Sequence, residues 1–351
     1  MTTTNTGKPH ATLHPLERYR GIIAHLAGEF HGFQESFWLS FAAQSAVLVP
    51  DSTDNIAKRI HEVAMALYAH ASWYQTLASP ARFVIAAMLL QHGIPPADFE
   101  RENLRLGDLL HAAGLRHGHF HQVLAVIILL QWPGDGRPGR SEIERIKAIY
   151  TRMKQNHGWI TRIQDLPACA ALAQCPESVD VVMARNETIY QQLHGTGIPV
   201  GQRLLTAANL LTLTGLEPDQ AVERYRRLAH EMDERCGHPR SEHHDPLALL
   251  ALLDQPPAMV VERWNTFRLD LDLFQAEEQG AANLVIAADL AVLELLAGGQ
   301  EQSAPANPDV ALARLEALHT YHLASAILVG QVEPQLVGPV GDGAYPQWPY
   351  V

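Results

Sequence analysis

A helical couplet returns along this chain about every forty residues, and the return is plainest between Ser141 and Asp254. There SEIERIKAIYTRMKQNHG is followed by DLPACAALA, VVMARNETIYQQLHGTG by VGQRLLTAANLLTLTG, and AVERYRRLAHEMDERCG by DPLALLALL. The first member of each couplet mixes charged and apolar residues at helical spacing. The second is apolar nearly all round, which places it between neighbours rather than at a surface. Leu26, Tyr68, Leu109, Tyr150, Tyr190, Leu228 and Phe267 hold similar positions in successive first helices, at the roughly forty-residue period of helix-pair arrays. One such pair cannot bury its own apolar face, whereas stacked neighbours share a continuous core. The expectation is an all-α, right-handed α-α superhelix of HEAT/armadillo type, about seven pairs long. The sequence leaves open whether it is an open arc or closes into a toroid, because curvature depends on small rotations per repeat.

Local signals place the boundaries. Residues 1–14 are polar and Thr-rich and are expected to be disordered. The helical-repeat domain spans 15–297. Within it Ser52, Thr53 and Asp54 are natural N-caps, Ser79-Pro80 suggests another helix start, and Gly93 and Gly114 suggest helix stops. The composition of residues 298–309 is that of a linker, 310–330 read as one more helix, and 331–351 form a Pro- and aromatic-rich tail that cannot be helical. Tyr345, Trp348 and Tyr350 in that tail are candidate partner-binding residues, since large aromatics are unfavourable to leave in water.

The stretch QNHGWITRIQDLPACAALA, with its Asn156-His157-Gly158 turn leading into Asp165-Leu166-Pro167, resembles an uncharacterised all-helical bacterial family, a domain of unknown function. The resemblance covers roughly residues 55–300. It implies an all-helical fold and carries over no functional residue.

Composition narrows the function classes. A formal net charge of −12 repels phosphate backbones, and the short basic stretches Arg137–Arg145 and Arg224–Arg227 are interrupted by glycines or flanked by acids, so no nucleic-acid partner is expected. No apolar run is long enough to span a bilayer. Three cysteines without framework spacing and a polar start with no apolar signal region point to the cytoplasm. Cys169 and Cys175 read as small core residues, and Cys236 as the more exposed thiol. No G-x-G-x-x-G follows a strand and there is no P-loop, so nucleotide cofactors of those kinds are not expected.

Histidine is abundant, and two clusters stand out. His117 and His121 lie four apart in RHGHFHQ, a spacing that shares a helix face. His238, His243 and His244 fall in CGHPRSEHHDP between two helices. Imidazoles of this kind suit a divalent transition metal such as Zn²⁺, although neither cluster has a standard ligand spacing. Both clusters fall between the first and second helix of a pair, hence at one end of the stack. Asp165 and Asp245 share that end. They could serve acid–base chemistry, but N-capping accounts for both. The acidic triplet Asp270-Leu271-Asp272 falls in an ordinary amphipathic segment. The leading expectation is therefore a helical-repeat protein that binds a protein or peptide partner on a concave surface. The alternatives are an enzyme with His and Asp residues at the mouth of an α/α toroid, and a metal- or small-molecule-binding accessory protein.

Overall fold

The computed structural model of the protein describes residues 14–28, 33–69, 77, 79–115, 119–132, 136–274 and 280–299. These residues form fourteen α-helices and no strand. In chain order they are α1 (Pro15–Ala27) and α2 (Phe33–Ser45), α3 (Thr53–Ala69) and α4 (Arg82–Gln91), α5 (Pro96–Ala112) and α6 (His119–Leu130), α7 (Arg140–His157) and α8 (Leu166–Ala173), α9 (Val179–His194) and α10 (Gln202–Leu213), α11 (Pro218–Cys236) and α12 (His244–Leu250), α13 (Pro257–Phe274) and α14 (Gly280–Gly299). Short 3-10 turns at Ile163–Asp165 and Ser241–His243 lead into α8 and α12. None of these helices is long and apolar enough to cross a membrane. His117, residues 1–13, the expected linker and helix from 300 to 330, and the tail with Tyr345, Trp348 and Tyr350 lie outside the described residues.

The helices start where the chain supplies a cap or a proline. Ser52 Oγ accepts the Asn55 backbone N–H at 3.4 Å at the start of α3, and Ser178 Oγ accepts that of Val181 at 3.4 Å at the start of α9. Proline stands in the first turn of α1, α5 and α11, where the missing N–H has no intrahelical acceptor to lose. For that reason α5 begins at Pro96. Likewise α4 begins at Arg82 rather than Pro80, because the Ser79 carbonyl accepts the Arg82 N–H at 3.1 Å and closes a turn first. The stops at Gly93 and Gly114 have φ of +64° and +81°, a left-handed conformation that side chains resist.

Gly158 meets a different constraint. A Cβ there would sit 2.8 Å from the Lys154 carbonyl oxygen. Beside it, His157 is buried with its ring on Tyr190 of α9, centroids 4.0 Å apart, and Nε2 is 3.0 Å from Glu187 Oε2. Asn156 donates to the same Glu187 oxygen at 3.0 Å. The Asn156-His157-Gly158 turn thus locks α7 to α9.

The two helices of a pair differ in burial. All eight residues of α8 are buried, as is every residue from Val123 to Leu129 in α6 and from Leu204 to Leu213 in α10. The first helices bury one stripe, such as Ile143, Ile146, Ile149 and Met153 of α7. At about 1.5–3 kcal/mol for each large aliphatic side chain fully buried, both kinds of helix contribute to the stabilisation. Each first helix packs on the next first helix, and each second helix on the next second helix. Connections inside pairs therefore gather at one end of the helices, the intra-pair end, and connections between pairs at the other, the inter-pair end.

The last pair also reaches the first. α14 packs on α1 and α2. Arg20 of α1 donates to the Asp270 carbonyl at 3.2 Å, lies 3.6 Å from its carboxylate, and covers the Phe274 ring at 5.6 Å. The buried Gln44 amide of α2 donates to Asp289 of α14. Trp38 of α2 meets Phe120 of α6 edge to face at 5.4 Å, across the intervening pair.

Candidate functional site

A group of polar side chains comes together at the intra-pair end of α7 to α14. Gln202, the first residue of α10, donates to Asp165 Oδ1 at 2.7 Å, so one connection is tied to the next. The expectation that Asp165 caps α8 is corrected here. Its Oδ2 turns back to accept the Arg162 N–H at 2.8 Å, closing the 3-10 turn before α8, and it makes no cap bond to that helix. Burial raises the Asp165 carboxyl above its ordinary pKa, against the pull of the Arg162 N–H and the Gln202 amide. Cys169, fully buried a turn away, is held well above the usual thiol range by the same burial and then by Asp165. Cys175 is also buried and Cys236 is exposed.

Asp245 sits in the first turn of α12, buried, with Oδ2 3.5 Å from Arg203 Nη1 of α10. Next to it, His244 Nδ1 lies 2.7 Å from the hydroxyl of Tyr225 on α11. Burial, followed by Arg203 and His243, brings the His244 imidazole down to about 4. Burial, reinforced by Asp245, pushes the Tyr225 phenol up. Both groups are therefore neutral near pH 7. The bond is a phenol–imidazole hydrogen bond and not an ion pair.

The histidines of this region face different partners. His243 Nδ1 accepts the Arg240 backbone N–H at 2.9 Å, and its ring stands edge-on to Trp264 at 6.0 Å. A neutral imidazole that accepts at Nδ1 carries its proton on Nε2, which makes Nε2 a donor. His238 is exposed, with Nδ1 3.5 Å from Asp233 Oδ1. His121 lies elsewhere, on α6, beside Phe120 at 5.9 Å. Burial lowers it to about 4, and its Nε2 has no hydrogen-bond partner. Among the described residues no three His, Cys, Asp or Glu side chains are grouped to hold a metal ion.

Beside His243 opens a cavity of about 360 Å³, walled by Arg240 and Glu242 from the α11–α12 connection, Arg268 and Asp272 from the last turns of α13, and the first turn of α14. A second hollow of about 330 Å³ lies between the end of α5 and the exposed face of α7, where Lys147, Tyr150 and Lys154 line it. Sequence reading missed Tyr225, Arg203, Arg240 and Arg268, and treated Asp272 as ordinary. Each reaches the site from a neighbouring helix or pair. The available signal was the period itself: superposing the couplets puts the residues after Gly201 and Gly237 at one end.

The family described as "protein of unknown function (DUF4003)" matches residues 29–269. The uncharacterized protein YeaA of Bacillus subtilis (strain 168) is 24% identical over 213 residues, 58% of this chain and 62% of that relative, so less than two thirds of the relative's length is spanned. No solved structure matches the chain. The family match takes in α2 to α12 whole, with Asp165, Tyr225 and the histidines of the α11–α12 connection, and stops short of Asp272 and α14. The chain thus belongs to the DUF4003 family, whose members are proteins of unknown function.

Proposed function

We propose that the seven pairs close into an α/α toroid whose intra-pair mouth binds a small polar molecule. The packing of α14 on α1 and α2, the Gln44–Asp289 hydrogen bond and the Trp38–Phe120 contact support closure. Closure would leave no open concave groove for a long peptide, so attention moves to the mouth. The observation that carries the binding reading is the cavity of about 360 Å³ at that end, within the size range of small-ligand sites and lined by paired charges. Hydrogen-exchange mass spectrometry of the protein with a library of polar metabolites tests this. A ligand should slow exchange across residues 238–245 and 264–284 together. Protection confined to other surfaces would sink the reading.

A second reading, a protein or peptide partner docked on the same end, is favoured by Trp159, which leaves 70% of its surface exposed in the α7–α8 connection. Trp159→Ser should abolish capture of such a partner while leaving small-molecule protection intact. Loss of neither argues against a docking role.

A further inference from the structure

The hollow of about 330 Å³ on α7 shares no residue with the cavity at the mouth. The chain holds only four lysines, Lys8, Lys58, Lys147 and Lys154. Two of them stand on α7 and line this hollow together, with Tyr150 and Thr151 between them. Spacings of three and four residues put these side chains on one face of the helix. Ala113, Gly114 and Leu115, at the end of α5, form the other wall. None of the described residues lining the hollow carries a carboxylate. Arg116, His117 and Gly118, which follow Leu115 outside the described residues, carry none either. Among the described residues Lys147, Tyr150, Thr151 and Lys154 make no ion pair and no side-chain hydrogen bond. The lysines are not spent on the end of α5. The carbonyls of Leu109, Leu110 and His111 there already accept the N–H groups of Ala113, Leu115 and Gly114, at 3.0, 3.0 and 2.9 Å. Burial, and after it Cys169 and Asp165, raises the Tyr150 phenol above its ordinary pKa, so its hydroxyl keeps its proton.

We propose that this hollow binds the phosphate group of a small organic phosphate. The Lys147 and Lys154 ammoniums supply two positive charges, and the Tyr150 and Thr151 hydroxyls donate to the same group. Each lysine starts roughly 5 Å along the helix axis from the two hydroxyl residues, so both stems reach the middle of the face. A phosphate monoester carries close to two negative charges near pH 7 and three strong acceptor oxygens. Two cations and two hydroxyl donors on one wall match it in charge and in donor count. The volume is at the small end of ligand sites and leaves room for a body of a few carbons against Ala113, Leu115 and the Tyr150 ring. The chain carries a net charge of −12, so a cationic hollow concentrates small anions that the rest of the surface repels. A cationic ligand would meet two ammoniums, and an uncharged one would leave both unused. This site is separate from the mouth, and neither reading depends on the other.

The test is isothermal titration of the full chain with inorganic phosphate, a panel of sugar, glycerol and aryl phosphates, their dephosphorylated counterparts, and dicarboxylates such as succinate. At least one organic phosphate should bind, and its dephosphorylated form should bind at least about 10-fold more weakly, as expected when charged hydrogen bonds are removed. Lys147→Gln and Lys154→Gln change exposed side chains and should keep the fold while each weakens that ligand at least about 10-fold. Lys58→Gln removes the same charge from α3, outside the hollow, and should leave the affinity unchanged. The proposal is overturned if no organic phosphate binds, or if the dephosphorylated form or either α7 variant binds as the parent pair does. An equal loss in Lys58→Gln would mean diffuse attraction and would overturn it too. Inorganic phosphate binding as tightly as the best ester, or a dicarboxylate binding more tightly, would remove the organic-phosphate assignment. Hydrogen exchange then places the ligand: protection of residues 113–115 and 147–155 supports the site, and protection confined to 238–284 sinks it.

Discussion

The two ends of the helix pairs use the same polar residue types for opposite purposes. At the inter-pair end arginines serve the backbone. Arg18 of α1 donates to the carbonyls of Val47, Val49 and Asp51 at the end of α2. Arg145 of α7 does the same for Ala173, Cys175 and Glu177 after α8, and Arg224 of α11 for Leu252 after α12, with Asp254 at 2.8 Å. Each guanidinium fills carbonyls that a finishing helix leaves without partners. At the intra-pair end the polar side chains bond one another, across pairs in Gln202–Asp165 and Arg203–Asp245 and within a pair in Tyr225–His244. The difference teaches where to look for function in such an array. Groups used up by the main chain are structural, and groups held by other side chains beside a cavity remain available to a ligand.

That contrast can be broken most forcefully at Arg145. Arg145→Met should strand three carbonyl acceptors and lower stability by about 2–4 kcal/mol in urea unfolding. A loss under about 1 kcal/mol would mean that water replaces the guanidinium without penalty. Next comes a buried group at the intra-pair side. His121 is held neutral in the fold down to about pH 4, while the same residue in the unfolded chain protonates near its usual 6.5. Its contribution is thus present above pH 6.5 and lost as pH falls toward 4, by up to about 3 kcal/mol. His121→Leu should flatten the fall in stability over that window, and a variant as acid-sensitive as the parent would assign the loss to other groups. Gly158→Ala should cost about 1–2 kcal/mol by pressing a methyl group against the Lys154 carbonyl. The smallest effect belongs to the functional end. Tyr225→Phe should change stability by less than about 1 kcal/mol, since His244 keeps access to water, and should leave the His244 imidazole near 4 in a histidine NMR titration, because burial and Arg203 hold it there. If Tyr225→Phe proved as damaging as Arg145→Met, the two ends would not differ in kind.

The helices were legible because they are written locally. Ser52 caps, Gly93 stops and the apolar run Val123–Leu129 announces a buried segment, each within a few residues. The lateness of α4 came from a single turn residue overriding the apolar pattern. Side chains at the candidate site were legible in kind but not in partner. Asp165 was read as a cap, yet its carboxylate finds a nearer N–H behind it. His243 and His244 are adjacent in sequence but turn to a backbone amide on one side and a phenol on another helix. No spacing rule reports such choices, because they depend on which neighbouring helix offers the first donor. The arginine contacts at the inter-pair end were equally hidden, since each guanidinium meets carbonyls about thirty residues downstream, at the far end of its own pair.

The hydrogen bond between Gln44 and Asp289 joins positions 245 residues apart. On a ribosome adding about 5–20 residues per second, the second helix waits on the order of tens of seconds before its partner is even made. Through that interval an apolar helix with a lone amide has only half its neighbours, which is the kind of nascent surface that holding chaperones seize. In the closed ring proposed above, the docked α14 covers α1 and α2. Unfolding should then be a single concerted event rather than a peeling from one end.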